Sequence, residues 1–494
     1  MKYVRVPQEL QSNDIRQAEA CFSPGRYVRF VPPALKGASH FAPLDKLVFV
    51  REESVKAVKA DTYRYAEIGD INVSTGGVVF REMRGFQLPT KRPATTATGD
   101  VLISTVRTYR KGIGLVVDGG DNLVTTNAML TFCGTTGLVP GVTLPYVYSF
   151  LRSDFFVEQV WSLLNRGVYP RMDAGALDKI TIPIASDKSV CEYVAALTLA
   201  IAEKDNAIRS RHAIGLAFIE KDLNDGQKHQ FIFNYPTVNE MRVSARIDAG
   251  FWSPPLREKI HRLKNYRHGA FDSIYSAGFT TRRGPNLAVT VSGPAHYSDS
   301  PFGNALPMAT PGDISDFMTI PEFRYYGNRR RVDTVRHGEI MFAGKGVREV
   351  SIGHTWVNLG NTPFVTNFDS FLIHSPDRTR SIFLAFLLSY LKSVGVFAKL
   401  SDTSNGGSFV QSHFHALPIP KVEEHFQKAI ALLYHNEAPR PAAKLTLANF
   451  VTWHRQWNED LGIWELDREM KVLQQTLNAV QGKIIEGKSV QLPF

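Results

Sequence analysis

Apolar side chains at Val190, Val194, Leu197, Ile201 and Ile208 are separated by steps of four, three, four and seven, a spacing that lines one face of an α-helix. The pattern predicts a helix over residues 187–225, about 57 Å long if unbroken, with Gly215 able to interrupt it. Such a rod is too long for an ordinary core helix. A second seam, Leu466, Met470, Leu473, Leu477, Val480 and Ile484, steps by four, three, four, three and four, which is an a/d heptad. Each rod follows a globular stretch of similar size, so the chain reads as globule, rod, globule, rod.

The two globular stretches repeat one another. Arg16-Gln17-Ala18-Glu19-Ala20-Cys21-Phe22-Ser23-Pro24 aligns with Arg246-Ile247-Asp248-Ala249-Gly250-Phe251-Trp252-Ser253-Pro254. Gly99-Asp100-Val101-Leu102-Ile103 aligns with Gly338-Glu339-Ile340-Met341-Phe342, in each case a Gly turn leading into an apolar strand. Val124-Thr125-Thr126-Asn127 aligns with Val365-Thr366-Asn367, and helical patterns follow over Tyr146 to Leu164 and Ser381 to Leu400. The repeats close at Ile182-Pro183-Ile184 and Leu417-Pro418-Ile419-Pro420. Anchors kept in one order and about 230 to 240 residues apart mark a tandem duplication. The expected fold is mixed α/β: two duplicated globules, residues 1–184 and 229–420, with helical spacers over 185–228 and 421–494. Neither helix can bury its seam alone, so the expected pairing is antiparallel, Val194, Leu197, Ile201 and Ile208 against the second seam, about an approximate two-fold axis.

The second spacer departs from the first. Pro439 and Pro441 end its opening helix, and Trp453, Trp457 and Trp464 precede the heptads. Local core packing is favoured over a partner surface for these Trp residues.

Composition narrows the class. A chain of 494 residues, 44% apolar, holds two to four domains with their own cores. No apolar run approaches the roughly 18 residues of a membrane span, and Met1-Lys2-Tyr3-Val4-Arg5-Val6-Pro7 lacks the apolar core of a secretion signal; a cytoplasmic protein without a membrane partner is expected. Cys21, Cys133 and Cys191 lack paired spacing, which argues for packed, reduced thiols over disulfides or a zinc site. The net charge of +10 points modestly to an anionic partner, because cations that neutralise phosphates gain from counterion release.

Reading base edges takes Arg, Lys, Asn, Gln and Ser on loops. In the first globule the candidates are Arg107, Arg110 and Lys111 after a strand, and Arg166, Tyr169 and Arg171 after a helix. In the second they are Lys345 and Arg348 at the equivalent strand end, and Ser404, Asn405 and Gln411 in the equivalent loop. Arg329-Arg330-Arg331 is the weakest member of the group, since a charge run is usually a solvated face. Catalytic signatures are missing. Gly482-Lys483-Ile484-Ile485-Glu486-Gly487-Lys488-Ser489 spells a phosphate-binding loop, but such a loop must follow a strand and open a helix, and this string ends one. His413 and His415 would share one face of a strand without a third ligand, so no metal site is expected.

The duplication, Arg246-Ile247-Asp248-Ala249 with Phe251-Trp252-Ser253-Pro254, Glu67-Ile68-Gly69-Asp70-Ile71, and the Pro-Ile turns before each rod together resemble the DNA-specificity (S) subunit of type I restriction-modification systems. The resemblance implies two target-recognition domains in tandem, spaced by paired helices and reading a bipartite site in double-stranded DNA. It further implies a non-catalytic chain that recruits DNA methyltransferase subunits, two of them, and restriction subunits. S-adenosylmethionine, ATP and magnesium would then be used by the partners, with no cofactor in this chain. The family's Glu-Gln after the Pro turn is Glu424-His425 in the second copy, and the first has Glu192 without Gln. With the Pro439 insertion, this motivates a second reading as an adaptor of another anti-phage assembly. A self-contained DNA-processing enzyme is the third.

Overall fold

The structure, a computed structural model, describes residues 2–5, 29–33, 37–117, 120–163, 171–172, 174–244, 246–345, 351–401 and 407–494. They gather into two compact units. The first comprises Met1–Asn206, Pro439–Glu459 and Arg468–Phe494, the second Ala207–Ala438 and Asp460–Asp467.

In the first unit, strands β1 (Val48–Val50), β4 (Val101–Ser104), β5 (Ile113–Leu115) and β7 (Met129–Thr135) form an antiparallel sheet in the order β1-β7-β4-β5. Val101, Leu102 and Ile103 of β4 are wholly buried, which is why this strand reads as a continuous apolar run instead of alternating. A second sheet contains β2 (Thr62–Ala66), β3 (Arg81–Arg84) and β6 (Leu123–Thr125), with β2 antiparallel to β3 and parallel to β6. Ala66, Ile71, Val78, Leu102, Val116, Leu123 and Met129 fill one core cluster. The helical stretch expected over 146–164 is two helices, α1 (Leu144–Leu151) and α2 (Asp154–Leu163).

The second unit repeats the plan. Strands β8 (Thr280–Arg283), β11 (Ile340–Ala343), β12 (Thr355–Val357) and β13 (Ser370–His374) are ordered β8-β13-β11-β12. β9 (Leu306–Met308) pairs antiparallel with β10 (Arg324–Asn328), and Met308 bridges Val365 in parallel, as β2 does with β3 and β6. The expected helix over 381–400 is likewise two, Arg378–Ser393 and Val396–Leu400, separated at Gly395 with φ +79°. Asp377 caps the first by accepting from the Thr379 and Arg380 amides.

The duplication extends to single hydrogen bonds where the central strand begins. Gly99 (φ +91°) and Gly338 (φ +80°) adopt the left-handed conformation that glycine tolerates. Val116 N donates to Asp100 O and Asn358 N to Glu339 O. The carboxylates of Asp100 and Glu339, both buried, are gripped bidentately by Arg51 (3.0 and 3.1 Å) and Arg282 (2.9 and 2.6 Å).

Helix α3 runs unbroken over Lys188–Asp225, 38 residues. Gly215 does not interrupt it. A Cβ there would lie 2.5 Å from the Phe386 ring, so glycine serves a close helix approach instead of a break. Residues 421–494 hold three helices, Glu424–Tyr434, Phe450–Asn458 and α4 (Ile463–Ile485). Val194, Leu197, Ile201, Ile208, Leu466, Met470, Leu473, Leu477, Val480 and Ile484 are all buried. Trp453 and Trp457 are buried with ring centroids 5.5 Å apart, and Trp453 Nε1 donates to Ala443 O, which places them in core packing. Cys191 is buried but Cys133 is exposed, so the expectation of packed thiols fails at Cys133, whose side chain follows the outward face of β7; Cys21 lies outside the described residues. No described helix is long and apolar enough to cross a membrane.

Candidate nucleic-acid interface

The central strand of each unit delivers the candidate loops. In the first unit β4 ends at Ser104, and Thr105 donates from both N and Oγ1 to Ala128 O, each at 2.9 Å. The chain then makes a tight 3-10 turn over Thr108–Arg110, flanked by Arg107 (φ 51°) and Lys111 (φ 59°). Two non-glycine residues in the left-handed region store strain of order 1 kcal/mol each, a feature that concentrates at functional sites. The turn is held by the buried Thr108 hydroxyl, which donates to Ser104 O at 2.7 Å, and by Tyr109 against Trp161 at 4.8 Å. Arg110 is exposed. Lys111 pairs with Asp154 of α2 at 2.8 Å.

The loop after α2 returns to the same place. Arg171, also exposed, bridges Val106, and Met172 N donates to Thr105 O at 2.8 Å. Arg107, Arg110, Lys111 and Arg171 thus belong to one junction; Arg166 and Tyr169 lie outside the described residues.

The second unit builds the same junction with other side chains. Gly344 N donates to Asp369 O (2.9 Å) as Thr105 N does to Ala128 O, and Phe409 N donates to Gly344 O (2.8 Å) as Met172 N does to Thr105 O. Lys345 bridges Ser408 as Val106 bridges Arg171. Glycine at 344 is required, because a Cβ would lie 2.6 Å from the Phe371 ring. Lys345 is exposed. Gln411, also exposed, donates to Thr281 Oγ1 at 2.9 Å, so it faces β8 beside the junction. Arg348, Ser404 and Asn405 lie outside the described residues.

The Arg-Ile-Asp-Ala motif proves to be a clasp. Arg246 bonds Asp248 at 2.5 Å, Leu400 O at 3.2 Å and His413 Nε2 at 3.3 Å, and its guanidinium lies over the Phe251 ring. That guanidinium holds the Asp248 carboxyl below the usual range. His413 and His415 do not share a strand face. They sit in a 3-10 helix, Gln411–Ala416, on either side of the buried Phe414, with His415 against Tyr275 at 4.5 Å. The phosphate-loop string closes the last turn of α4, with Gly487 at φ +68°, so it presents carbonyls at a helix C-terminus, the wrong end for a phosphate.

Sequence reasoning missed the partner of Glu67-Ile68-Gly69-Asp70-Ile71. Thr310-Pro311-Gly312-Asp313-Ile314 repeats its capping box: Asp70 accepts from Glu67 N (2.8 Å), and Asp313 from Thr310 N (2.6 Å). The recurring Gly-Asp-Ile was the available signal. Among the described residues His435, Glu437 and Glu465 could converge on an ion. Glu465 is already used, by His435 Nδ1 at 2.5 Å and Asn436 N at 3.0 Å, an arrangement that ties the 435–437 loop to the start of α4.

No protein-family model matches the chain, and no curated protein matches it. Three solved structures resemble it at low identity. A chain from a structure of type I R-M system complex assembly and conformational transition shares 16% identity over 93% of this chain and 100% of that one, TM-score 0.33. An HsdS subunit from Thermoanaerobacter tengcongensis shares 16% over 92% and 98%, TM-score 0.31. A type I restriction-modification S subunit from M. genitalium shares 13% over 93% and 100%, TM-score 0.42. At such TM-scores the likenesses carry no argument about function, which rests on the geometry of the two units.

Proposed function

We propose that this chain is the sequence-specific DNA-binding specificity subunit of a type I restriction-modification complex. The observation that supports the reading most is the duplicated junction: in both units two polar loops meet beside a buried central strand, at Thr105 with Met172 and at Gly344 with Phe409. The scaffold is repeated while the exposed side chains differ. A pair of readers with different side chains suits a bipartite target whose halves differ in sequence.

In this reading Arg107, Arg110, Lys111, Arg166, Tyr169 and Arg171 serve one half-site, and Lys345, Arg348, Ser404, Asn405 and Gln411 the other. Base-edge contacts supply discrimination, and the remaining cations fix the register on phosphates. The buried seams of α3 and α4 pair as the spacer, and removing one heptad from α3 shifts the preferred spacing between half-sites. The chain itself supplies recognition energy. Two methyltransferase subunits and restriction subunits join it, and adenine methylation with S-adenosylmethionine and ATP- and magnesium-dependent cleavage belong to them.

An adaptor of another anti-phage assembly is the alternative, favoured by Glu424-His425, both exposed. The test is a pull-down of the tagged chain from its native cells, with mass spectrometry of its companions. Recovery of an adenine methyltransferase upholds the type I reading. Recovery of unrelated defence proteins alone transfers the chain to the adaptor reading, and methylation or cleavage by the purified single chain would make it an enzyme.

A further inference from the structure

Phe86 is held out in water. It is 68% exposed, in the turn after β3, with Val58, 54% exposed, beside it. Neither is there by slack. Val58 N donates to the Tyr63 hydroxyl oxygen at 3.0 Å, Gly85 N to Asp61 O at 2.9 Å, Phe86 N to Lys59 O at 3.3 Å, and Arg84 N to Gln87 Oε1 at 2.8 Å. A Cβ at Gly85 would lie 2.0 Å from Val58 O, so the close approach of the two turns requires that glycine. On the inner face Val55, Ala57, Met83 and Leu88 pack onto Tyr63, Tyr65 and Val124. By strand alternation Lys56 and Arg84 point the other way.

The surround is basic. Segments 55–61 and 81–93 carry six Lys and Arg against Asp61 and Glu82. Lys56, Lys59, Arg84, Lys91 and Arg92 are all exposed, and among the described residues none of the five forms an ion pair. This tip is continuous with the reading junction. Asn127 Nδ2 donates to Arg92 O at 3.3 Å, and the next residue, Ala128, accepts from Thr105.

The second unit has a basic tip at the corresponding point. After the matching Asp313 capping box, β10 leads directly into Arg329-Arg330-Arg331, all exposed. Arg330 is anchored through Nη1 to Val291 O at 3.1 Å.

We propose that the turn after β3, with Phe86 at its apex, and the Arg329-Arg330-Arg331 turn after β10 are a further DNA-contacting surface of each unit. They grip the duplex beside the bases read at the junction, the cations on phosphates and Phe86 against sugar and base-step edges. This rests on the DNA-reading function proposed above. The like charge of these five cations, none in an ion pair among the described residues, selects a polyanion as occupant. An exposed aromatic among them adds what phosphate contacts lack, an apolar surface to seat between nucleotides.

The test uses the full chain, with its methyltransferase partners where they co-purify, and a random-sequence DNA duplex as probe, because phosphate contacts do not need the target. Lys59, Lys91 and Arg92 make no side-chain bond among the described residues, so Lys59→Ala, Lys91→Ala and Arg92→Ala together leave the fold intact, as circular dichroism would verify. The triple variant lowers the slope of log affinity against log salt by about 2.7, at about 0.9 per phosphate contact. Phe86→Ala weakens binding on the order of tenfold with the slope unchanged, the behaviour of a lost apolar contact. Arg329→Ala with Arg331→Ala lowers the slope by about 1.8. Wild-type binding to the duplex with every variant matching it overturns this proposal and leaves the DNA-reading function standing. Variants that bind DNA normally but shed a co-purifying protein overturn it in favour of a protein interface. A wild-type chain and complex that bind no DNA at all sink the function itself.

Discussion

The two units share a backbone plan and differ in how much support each gives the same buried carboxylate. Asp100 accepts from Arg51, and also from Ala97 N at 2.9 Å and Thr96 Oγ1 at 3.2 Å. Glu339 leans on Arg282 with one further donor, Arg336 N at 2.7 Å. Arg282 in turn holds Asp333 and Thr334 O, so the second unit concentrates its polar network in one side chain. The difference teaches that the strand start is fixed by its bonding pattern, while the residues that supply the bonds drift. Removing an arginine strands a buried charge, which costs roughly 3–5 kcal/mol where nothing else satisfies it. Glu339 would keep only the Arg336 amide, so Arg282→Ala is expected to cost about 3 kcal/mol, the low end of that range, and to lower amide protection throughout the second unit. Arg51→Ala costs the first unit less, roughly 1.5–3 kcal/mol, because two other donors remain. Hydrogen exchange resolved by unit measures both, and equal losses would erase the contrast.

Each unit also buries one uncharged imidazole. His454 lies among Phe450, Trp453 and Trp457, and burial pulls its pKa down to about 3. His212 sits against Phe317 and Phe386 with Nε2 2.9 Å from Ser389 Oγ, and burial pulls it to about 4. In both cases the folded pKa lies below the unfolded one, near 6.5, so the unfolded state takes up protons first as the medium is acidified. The stability is fully present above pH 6.5 and is lost as pH falls, toward pH 4 for His212 and pH 3 for His454, by at most about 1.4 kcal/mol per pH unit and per histidine. His454→Phe flattens the decline of the first unit and His212→Gln that of the second. Thermal unfolding from pH 7 to pH 5 measures it, and a slope untouched by either change would assign the acid sensitivity elsewhere.

The reading contacts separate the units functionally. Lys345→Ala with Arg348→Ala should cost roughly 1–3 kcal/mol at one half-site, read by competition between duplexes altered in one half at a time. Loss at both halves, or at neither, breaks the assignment of one half to each unit.

How much of this was legible in sequence follows from which forces wrote it. Period and order exposed the duplication, the helices and the strand starts, because burial acts on every residue of an element. Asp100 and Glu339 were aligned, but the arginines that hold them were not. Arg51, just past β1, and Arg282, in β8, lie 49 and 57 residues away in sequence, with one strand between theirs and the strand they serve, and an ion pair closed through a fold leaves no local pattern. One reading failed because tertiary packing overrode a local pattern. His413 and His415 alternate as in a strand, yet the chain coils into a 3-10 turn to bury Phe414 among Phe342, Phe371 and Phe409. The Phe86 tip escaped notice because a single Phe among cations looks like a strand residue until its exposure is known.

Gly215 sets the last and smallest contrast along α3. The part of α3 in the first unit offers the buried Val190, Cys191 and Val194, whereas the part in the second unit, beside its own buried Ile208, Ile219 and Leu223, offers bare backbone to Phe386 at Gly215. Two effects oppose each other in Gly215→Ala. Alanine favours the helix by about 1 kcal/mol, while its methyl would lie 2.5 Å from the ring, and overpacking of this kind costs roughly 1–3 kcal/mol. Phe386 is fully buried and has no room to retreat, so the clash outweighs the propensity and the net loss is about 1 kcal/mol. Pairing the change with Phe386→Leu removes the clash and leaves the propensity, so in that background the same alanine is expected to stabilise. A double-mutant cycle on the unfolding free energy reads the sign directly, and an alanine that stabilises in both backgrounds would mean that the helix does not need its glycine.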